Sequence, residues 1–496
     1  MRRVAALGAL ACGSCSVVLG IEARPLGDPL GERPDSASIG DGAPSTADGA
    51  GDARDAPVLE PPGCERSPTA DPTVVDERCG VFVSSSGSDT NAGTRQAPLK
   101  TLAVAIQKAV DQKVYRAFLC GDAFEERVTM SGVGVSLVGG FECLAGWSVA
   151  ARVPVIRPPD SGPALRLVGL TNAITLESLE FAARDATAAG TSSVAAWVSD
   201  AVSVTFVRSA LAAGSGASGQ SGAAGALGTG GGMGGAAGGN GTVLVPGPTV
   251  TCNCLLDGAD AGITTGGAGG QFSPSVAPGA GTPALDGGAA GTNNAALAAC
   301  TGGGKGADGI AGATSPAPTA LGALLETGWS PASGGDGTAG SLAQGGGGGG
   351  AWTLGGGGGG GCGGCPSSGG KGGGGGGGSI ALLSVRSGVS LVDTARSTKS
   401  GGGGGAGGAA PAGQVGGPGA GNAFGSGCSG GAGGTGGKGG DGAGGAGGIS
   451  VGTLFRGAAP VIDVASQGKL TLGAGGSAGG GSVPGPAGLS QPTLSL

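Results

Sequence analysis

Not one of the 496 residues is histidine, only 3% are aromatic, and tyrosine occurs once. The missing imidazole removes the commonest general base and the commonest metal ligand. His-dependent triads and His-containing zinc sites are therefore excluded. Basic residues are also scarce, with 26 Lys and Arg against 33 Asp and Glu, a formal charge of −7. That balance argues against a nucleic-acid partner, which needs clustered cations. Long apolar runs are lacking near the start, where the run at 4–11 is too short to span a bilayer as a helix. What fills the chain instead is glycine, 123 residues of it. An average protein has roughly 7%, so an ordinary globular domain is a poor starting expectation.

The first residues combine Arg2 and Arg3 with that apolar run and then small residues and cysteines, which fits an export signal. The segment resembles a bacterial lipoprotein signal, in which a cysteine just after cleavage carries lipid. The resemblance points to Cys15, preceded by Gly13 and Ser14, with Cys12 as the alternative. It implies a chain exported to the cell surface or outer membrane, or released outside, touching a membrane through a lipid anchor only. From 21 to 75 the composition turns to Pro, Gly, Ser and Asp, and 22–77 holds 13 of the acidic residues against four arginines. This predicts an acidic, disordered tether.

Cysteines in an exported chain are expected to be oxidised. Beyond Cys12 and Cys15 there are ten, at Cys64, Cys79, Cys120, Cys143, Cys252, Cys254, Cys300, Cys362, Cys365 and Cys428. Spacing does not fix connectivity. The neighbours Cys64 with Cys79, and Cys120 with Cys143, are the expected close pairs. "CGGC" at 362–365 lacks the thioredoxin-like context of a redox motif and the second pair of a zinc site, so it reads as a structural disulfide inside a glycine loop.

Order is expected from "CGVFVSSSGSDTNAGTRQAPLKTLAVAIQKAV" (79–110), with "VFV" as a strand. After Pro98, Thr101 caps a helix whose apolar face is Leu102, Ile106, Ala109 and Val110. Gly87, Ser88, Asp89, Asn91, Gly93 and Thr94, then Pro98, Lys100, Thr101, Leu102 and Ala105, resemble the N-terminal cap of right-handed parallel β-helix proteins of the pectate-lyase-like kind. Further on, "ALRLVGLTNAITLESLEF" (164–181), "VAAWVSDAVSVTFVRSAL" (194–211) and "SIALLSVRSGVSLVDTAR" (379–396) align without a gap. The columns are Leu165, Ala195 and Ile380; Leu167, Trp197 and Leu382; Val168, Val198 and Leu383; Ile174, Val204 and Val389; Leu176, Phe206 and Leu391. A looser copy runs through 449–464. Two strands per repeat, with inward residues in register, are what a solenoid needs to bury its face.

Glycine-rich stretches at 212–378 and 397–448 separate these copies. Ordering a residue costs about 1–2 kcal/mol, while a backbone hydrogen bond returns only about 1 kcal/mol. Order therefore requires nearly every backbone group to be paired. Extended helices of three residues per turn, packed side by side with glycine at two of three positions, meet that demand. The stretch also resembles the polymorphic GC-rich-repeat proteins with their Gly-Gly-X arrays. The expected fold is all-β: a right-handed parallel β-helix with an N-terminal capping helix and long glycine-rich excursions packed as polyglycine-II-like helices. Its parts are a signal segment (1–20), tether (21–75), cap and first coils (76–211), excursion (212–378), coil (379–396), excursion (397–448), and last coil with tail (449–496).

Chemistry-bearing motifs are few. "GGKGADGIA" (303–311) matches a calcium nonapeptide fully and "GGKGGDGAG" (436–444) does so except for Ala443 in place of a large apolar residue, but each stands alone, whereas such sites share ions between consecutive repeats. A polysaccharide lyase or hydrolase would need clustered carboxylates. The candidates are Asp122, Glu125, Glu126, Glu177, Glu180, Asp185 and Asp200, with Glu177 and Glu180 on opposite faces of one strand region. Trp147, Trp197, Trp329 and Trp352 are candidate sugar platforms, though Trp197 falls in a core column. No catalytic, cofactor-binding or metal-ligating residue is assigned. The expected role is structural or adhesive, with cell-surface or matrix polysaccharide as partner. The rival is a carbohydrate-binding or carbohydrate-cleaving protein, which a cleft lined by three or more of those carboxylates would favour.

Overall fold

The computed structural model describes residues 57–230, 241–242, 244–294, 299–421 and 427–496. Cys12, Cys15 and the first part of the tether lie outside them. The protein is mostly β, with few and short helices. Its main strands form three sheets, parallel except where Ser148–Val149 pairs antiparallel with Ser136–Glu142.

The first sheet orders Val81–Val83, Arg116–Cys120, Ser136–Glu142, Ala173–Glu177, Ser203–Val207, Val389–Val392 and Val461–Ile462. The second orders Ala123–Phe124, Val155–Ile156, Glu180–Ala182, Ala210–Ala212, Ala395–Ser397 and Leu470–Thr471. The third orders Val128–Ser131, Leu165–Val168, Ser193–Ser199, Ser379–Val385, Ser450–Arg456 and Ser490–Ser495. From Val128 onward the chain visits the third, first and second sheets in turn, and each sheet stacks in sequence order.

Alternation decides which residues face inward. Ser203–Val207 buries Val204 and Phe206, and Ala173–Glu177 buries Ile174 and Leu176. With Val389 and Leu391 these stack rung on rung. They meet Leu165, Leu167, Ala196, Val198 and Leu382 of the third sheet and Ile156, Phe181 and Leu211 of the second in one core. Helix α1 (Leu102–Asp111) closes the early end, adding Leu102, Ala105 and Ala109 to that core. Thr101 caps α1 as expected, and Glu126 accepts from Leu102 N at 3.0 Å.

The gapless alignment fails in the third sheet. Leu165 pairs with Ala196, and Ala196 with Leu382, whereas Trp197 pairs with Arg166 and Leu383. Between matched core positions, Leu165 to Ile174 is nine residues (174 − 165), Ala196 to Val204 eight (204 − 196) and Leu382 to Val389 seven (389 − 382). The corner loses a residue at each step, and a one-residue slip flips a strand's side chains to the other face. Trp197 therefore leaves the inner core and packs outside the sheet with Leu324, Leu383 and Trp329.

Residues 57–75, read as the end of the tether, are packed instead. Val74, Val75 and Cys64 are buried beside Phe82, Phe118, Phe141 and Trp147 on the outer face of the first sheet. Glu60 forms a buried ion pair with Arg116. A composition averaged over 55 residues hides this short apolar and paired segment. Cys64–Cys79 and Cys120–Cys143 are bonded in this region.

The glycine-rich excursions leave from one corner, after strands of the second sheet: 213–378 after Ala210–Ala212, 398–449 after Ala395–Ser397 and 472–489 after Leu470–Thr471. Their described residues include extended segments bonded to one another at every third residue. Gly361, Gly364, Ser367, Gly370, Gly373 and Gly376 donate to the carbonyls of Gly431, Gly434, Gly437, Gly440, Ala443 and Ala446, a parallel register. Gly334, Gly337, Gly340, Ala343, Gly346 and Gly349 donate to Gly373, Gly370, Ser367, Gly364, Gly361 and Gly358, an antiparallel one. The segments lie so close that a β-carbon on Gly364 would fall on the carbonyl oxygen of Gln414.

The remaining disulfides staple this region: Cys252–Cys362, Cys254–Cys365 and Cys300–Cys428. The cysteines of "CGGC" thus bond a hairpin strand, Val250–Leu256, and not each other. Cys-x-Cys points both thiols to one side of a strand. Cys-x-x-Cys does the same on an extended helix of three residues per turn.

Candidate functional site

Two of the seven carboxylates share a cleft of about 580 Å³ along the ends of the second-sheet strands, where Glu180 and Asp185 meet Arg157, Arg184, Ser397, Thr398 and Lys399. The cations here are already engaged in part. Arg184 Nη2 reaches Glu125 at 2.6 Å and its Nε donates to Pro158 O at 2.6 Å. Lys399 Nζ lies 3.0 Å from Asp185, whose carboxylate also accepts from Ser215 N at 2.8 Å. That backbone donor first, and Lys399 second, hold the Asp185 carboxyl below the usual aspartate range.

A second cleft of about 430 Å³ holds Glu125 and Glu126 beside Lys100, Thr101 and Phe124. Burial raises the Glu126 carboxyl despite the hydrogen bond from Leu102 N, because desolvation outweighs the donors. The other candidates are scattered and occupied. Asp122 accepts from Ser84 Oγ and Ser85 N at 2.8 and 2.9 Å. Glu177, buried, takes Ser67, Thr69 and Arg208. Asp200 pairs with Arg386 at 2.7 Å. Glu177 and Glu180 are not two faces of one strand, since they belong to the first and second sheets. Neither of these clefts gathers three of the seven.

The outward turn of Trp197 builds a feature the sequence reading placed inside the core. Clefts of about 480 and 380 Å³ share Pro163, Trp197 and Thr327. Arg127, Arg166 and Glu326 line one, and Val194, Trp329 and Leu383 line the other. The Arg166 guanidinium lies 5.1 Å from the Trp197 ring centroid. The indole Nε1 atoms of Trp197 and Trp329 are buried, with no hydrogen-bond partner among the described residues. An antiparallel hairpin, Gly322–Leu325 with Gly328–Pro331, covers this face. Trp147 sits elsewhere, in the aromatic cluster under 57–79, with its Nε1 donating to Arg95 O.

The same hairpin brings Glu326 between Arg386 (2.8 Å) and Arg456 (2.8 Å), with Asp200 on the far side of Arg386. Hydrogen bonding from Arg386 is the main reason the Glu326 carboxyl is held down to about 2. Reading the sequence missed this ladder, because its members come from distant chain segments, Asp200 and Arg386 alone lying 186 residues apart, and no local pattern joins them.

The two nonapeptide windows have a different use. Each forms a Lys–Asp pair at i and i+3, Lys305 with Asp308 and Lys438 with Asp441. Asp308 also accepts from Thr435 N and Asp441 from Ala410 N, at 2.7 and 2.8 Å. Three residues make one turn of these extended segments, so the pair shares a side and ties its segment to the next. No known protein family, curated protein or solved structure matches the chain.

Proposed function

We propose that this is an exported, lipid-anchored structural or adhesive protein of the bacterial surface or extracellular matrix, with Cys15 as the anchor and Cys12 as the alternative. In this reading the three parallel sheets wind as the faces of a β-helix, and the glycine segments pack in the manner of polyglycine II. Support for the winding comes from the repeated third–first–second visiting order and from left-handed residues at one recurring corner: Gly132, Gly169, Asp200, Arg386 and Gly457, φ between 46° and 95°. The observation that carries the functional reading is the glycine region itself. Its backbone groups are paired segment to segment and stapled by three disulfides, a large investment in scaffold, while neither carboxylate-bearing cleft gathers three of the candidate carboxylates of a rival hydrolase. One observation favours the rival in its binding form, the two tryptophans, Trp197 and Trp329, that line one groove on the outer face of the third sheet.

A broad polysaccharide panel tests both readings, scored for binding and for new reducing or unsaturated ends. The expected result is no turnover. Cleavage of any glycan overturns the structural reading. Binding that Trp197→Ala and Trp329→Ala abolish assigns the groove to sugar. Metabolic labelling with a clickable fatty acid, lost in Cys15→Ser, tests the anchor.

A further inference from the structure

Three core positions change character in the late coils of the stack. In the second sheet the inner column runs Phe181, Leu211, Arg396 and Leu470. In the third, Val198 is followed by Ser384, and Leu382 by Thr453. Leu211, Val198 and Leu382 belong to the apolar core, yet the residue that succeeds each of them is polar. All three successors are enclosed, Arg396 at 2% exposure and Ser384 and Thr453 at 0%. Arg396 reaches across the core from the second sheet to the third, where its Nη1 donates to Thr453 Oγ1 at 2.8 Å. Its Nε and the Ser384 hydroxyl are buried with no hydrogen-bond partner among the described residues.

These groups together offer donors and positive charge. A guanidinium has several N–H donors and no acceptor, and it stays protonated at any pH a folded protein meets. Burial pushes the Arg396 pKa down, and no neighbouring charge opposes that. Thr453 accepts Nη1–H with a lone pair, so its own proton is left to donate. Ser384 lies on the inner row of the same strand as Leu382, the rung partner of Thr453. A buried charge with no counter-charge is among the most costly contents of a core.

We propose that the late coils bind one small monovalent anion of the size of chloride inside the strand stack, held by Arg396 Nε, Thr453 Oγ1 and Ser384 Oγ. The chemistry selects this occupant. Water would satisfy the donors and leave the charge unmet. A carboxylate from another chain would have to pass between strands, because the guanidinium is enclosed. Sulfate brings a second charge, for which no second cation answers beside Arg396. The next rungs lie directly over the site, Leu470 on Arg396 and Thr493 on Thr453. The anion therefore ties the final coil to the stack, and closure of that end follows the halide around the protein. This goes beyond the structural or adhesive reading and does not depend on it.

The test melts the full chain in sodium gluconate, whose anion is too large to enter, and in sodium chloride at the same ionic strength. Chloride is expected to raise the melting temperature along a saturating curve and to slow amide exchange in 461–471 and 490–495. Arg396→Met, which melts above the parent in gluconate, is expected to show neither response. Ser384→Ala removes one donor and should need several-fold more chloride for the same rise. Crystals soaked in sodium bromide should show an anomalous peak within bonding distance of Arg396. A parent indifferent to chloride overturns the proposal and leaves water as the occupant. A response that Arg396→Met keeps in full overturns it as well, as a general salt effect. So does a bromide soak with no peak at Arg396, or a chloride curve that Ser384→Ala leaves unchanged.

Discussion

Arg116 and Arg396 are both buried, in opposite electrostatic situations. Arg116 meets Glu60 and donates to Arg66 O at 3.1 Å. Arg396 is 2% exposed; its Nη1 donates to Thr453 Oγ1 at 2.8 Å, and among the described residues no carboxylate lies within ion-pair distance. Removing one partner of a buried pair strands the other, so Arg116→Met is expected to cost about 3–5 kcal/mol. Arg396→Met removes an uncompensated charge and is expected to raise the melting temperature; thermal melts of both variants check the contrast. The carboxylates divide as well. Burial holds Glu60 above the ordinary glutamate range, so its stabilising contribution is present at acid pH and is lost as pH rises through that raised value. Backbone donors hold Asp308, Asp336 and Asp441 low. Their contribution is present above the usual aspartate value, about 3.9, and is lost as pH falls. Amide exchange in 303–315 and 431–446 should therefore accelerate below about pH 4.

At the scale of elements, the glycine segments owe their packing to missing β-carbons. Gly364→Ala places a methyl group on the Gln414 carbonyl; overpacking of this kind costs about 1–3 kcal/mol, and more where backbone cannot move. Gly480→Ala meets only Ala406 Cβ at 4.0 Å and should be neutral. Equal melts for the two would sink this account. The core columns of the first sheet were legible, because Ile174, Val204 and Val389 keep their alternation through every copy. Those of the third sheet were not, because a corner that shortens by one residue per step leaves no mark in composition. Asp200 and Arg386 hide that corner further: they occupy left-handed positions that a reader assigns to glycine, held by their mutual ion pair. Among the disulfides, sequence neighbours suggested two, whereas the three long-range ones follow from which segments lie side by side. The carboxylates could be named from sequence, but their partners come from distant chain.

For the whole molecule, the two ends of the strand stack are protected by different means. Helix α1 covers one. The other ends in the strand Ser490–Ser495, which carries Pro492. Proline is tolerated in a sheet only at an edge and denies an incoming strand a donor. Pro492→Thr is expected to restore that donor and promote self-association, visible as a concentration-dependent rise in mass by sedimentation. The bundle depends on Cys252–Cys362, Cys254–Cys365 and Cys300–Cys428, which close loops of 110, 111 and 128 residues. Opening such a loop costs on the order of 4–5 kcal/mol in the chain-entropy account, so Cys300→Ser/Cys428→Ser should melt well below the parent. The single corner from which the glycine segments depart has a consequence for how such a chain changes over generations. Because each segment repeats every three residues and returns beside a partner, a matched gain of one triplet in each lengthens the bundle by about 9 Å and leaves every rung of the strand stack untouched. Length and fold are thereby inherited separately, and reach becomes a trait that replication slippage in a glycine-coding tract can tune.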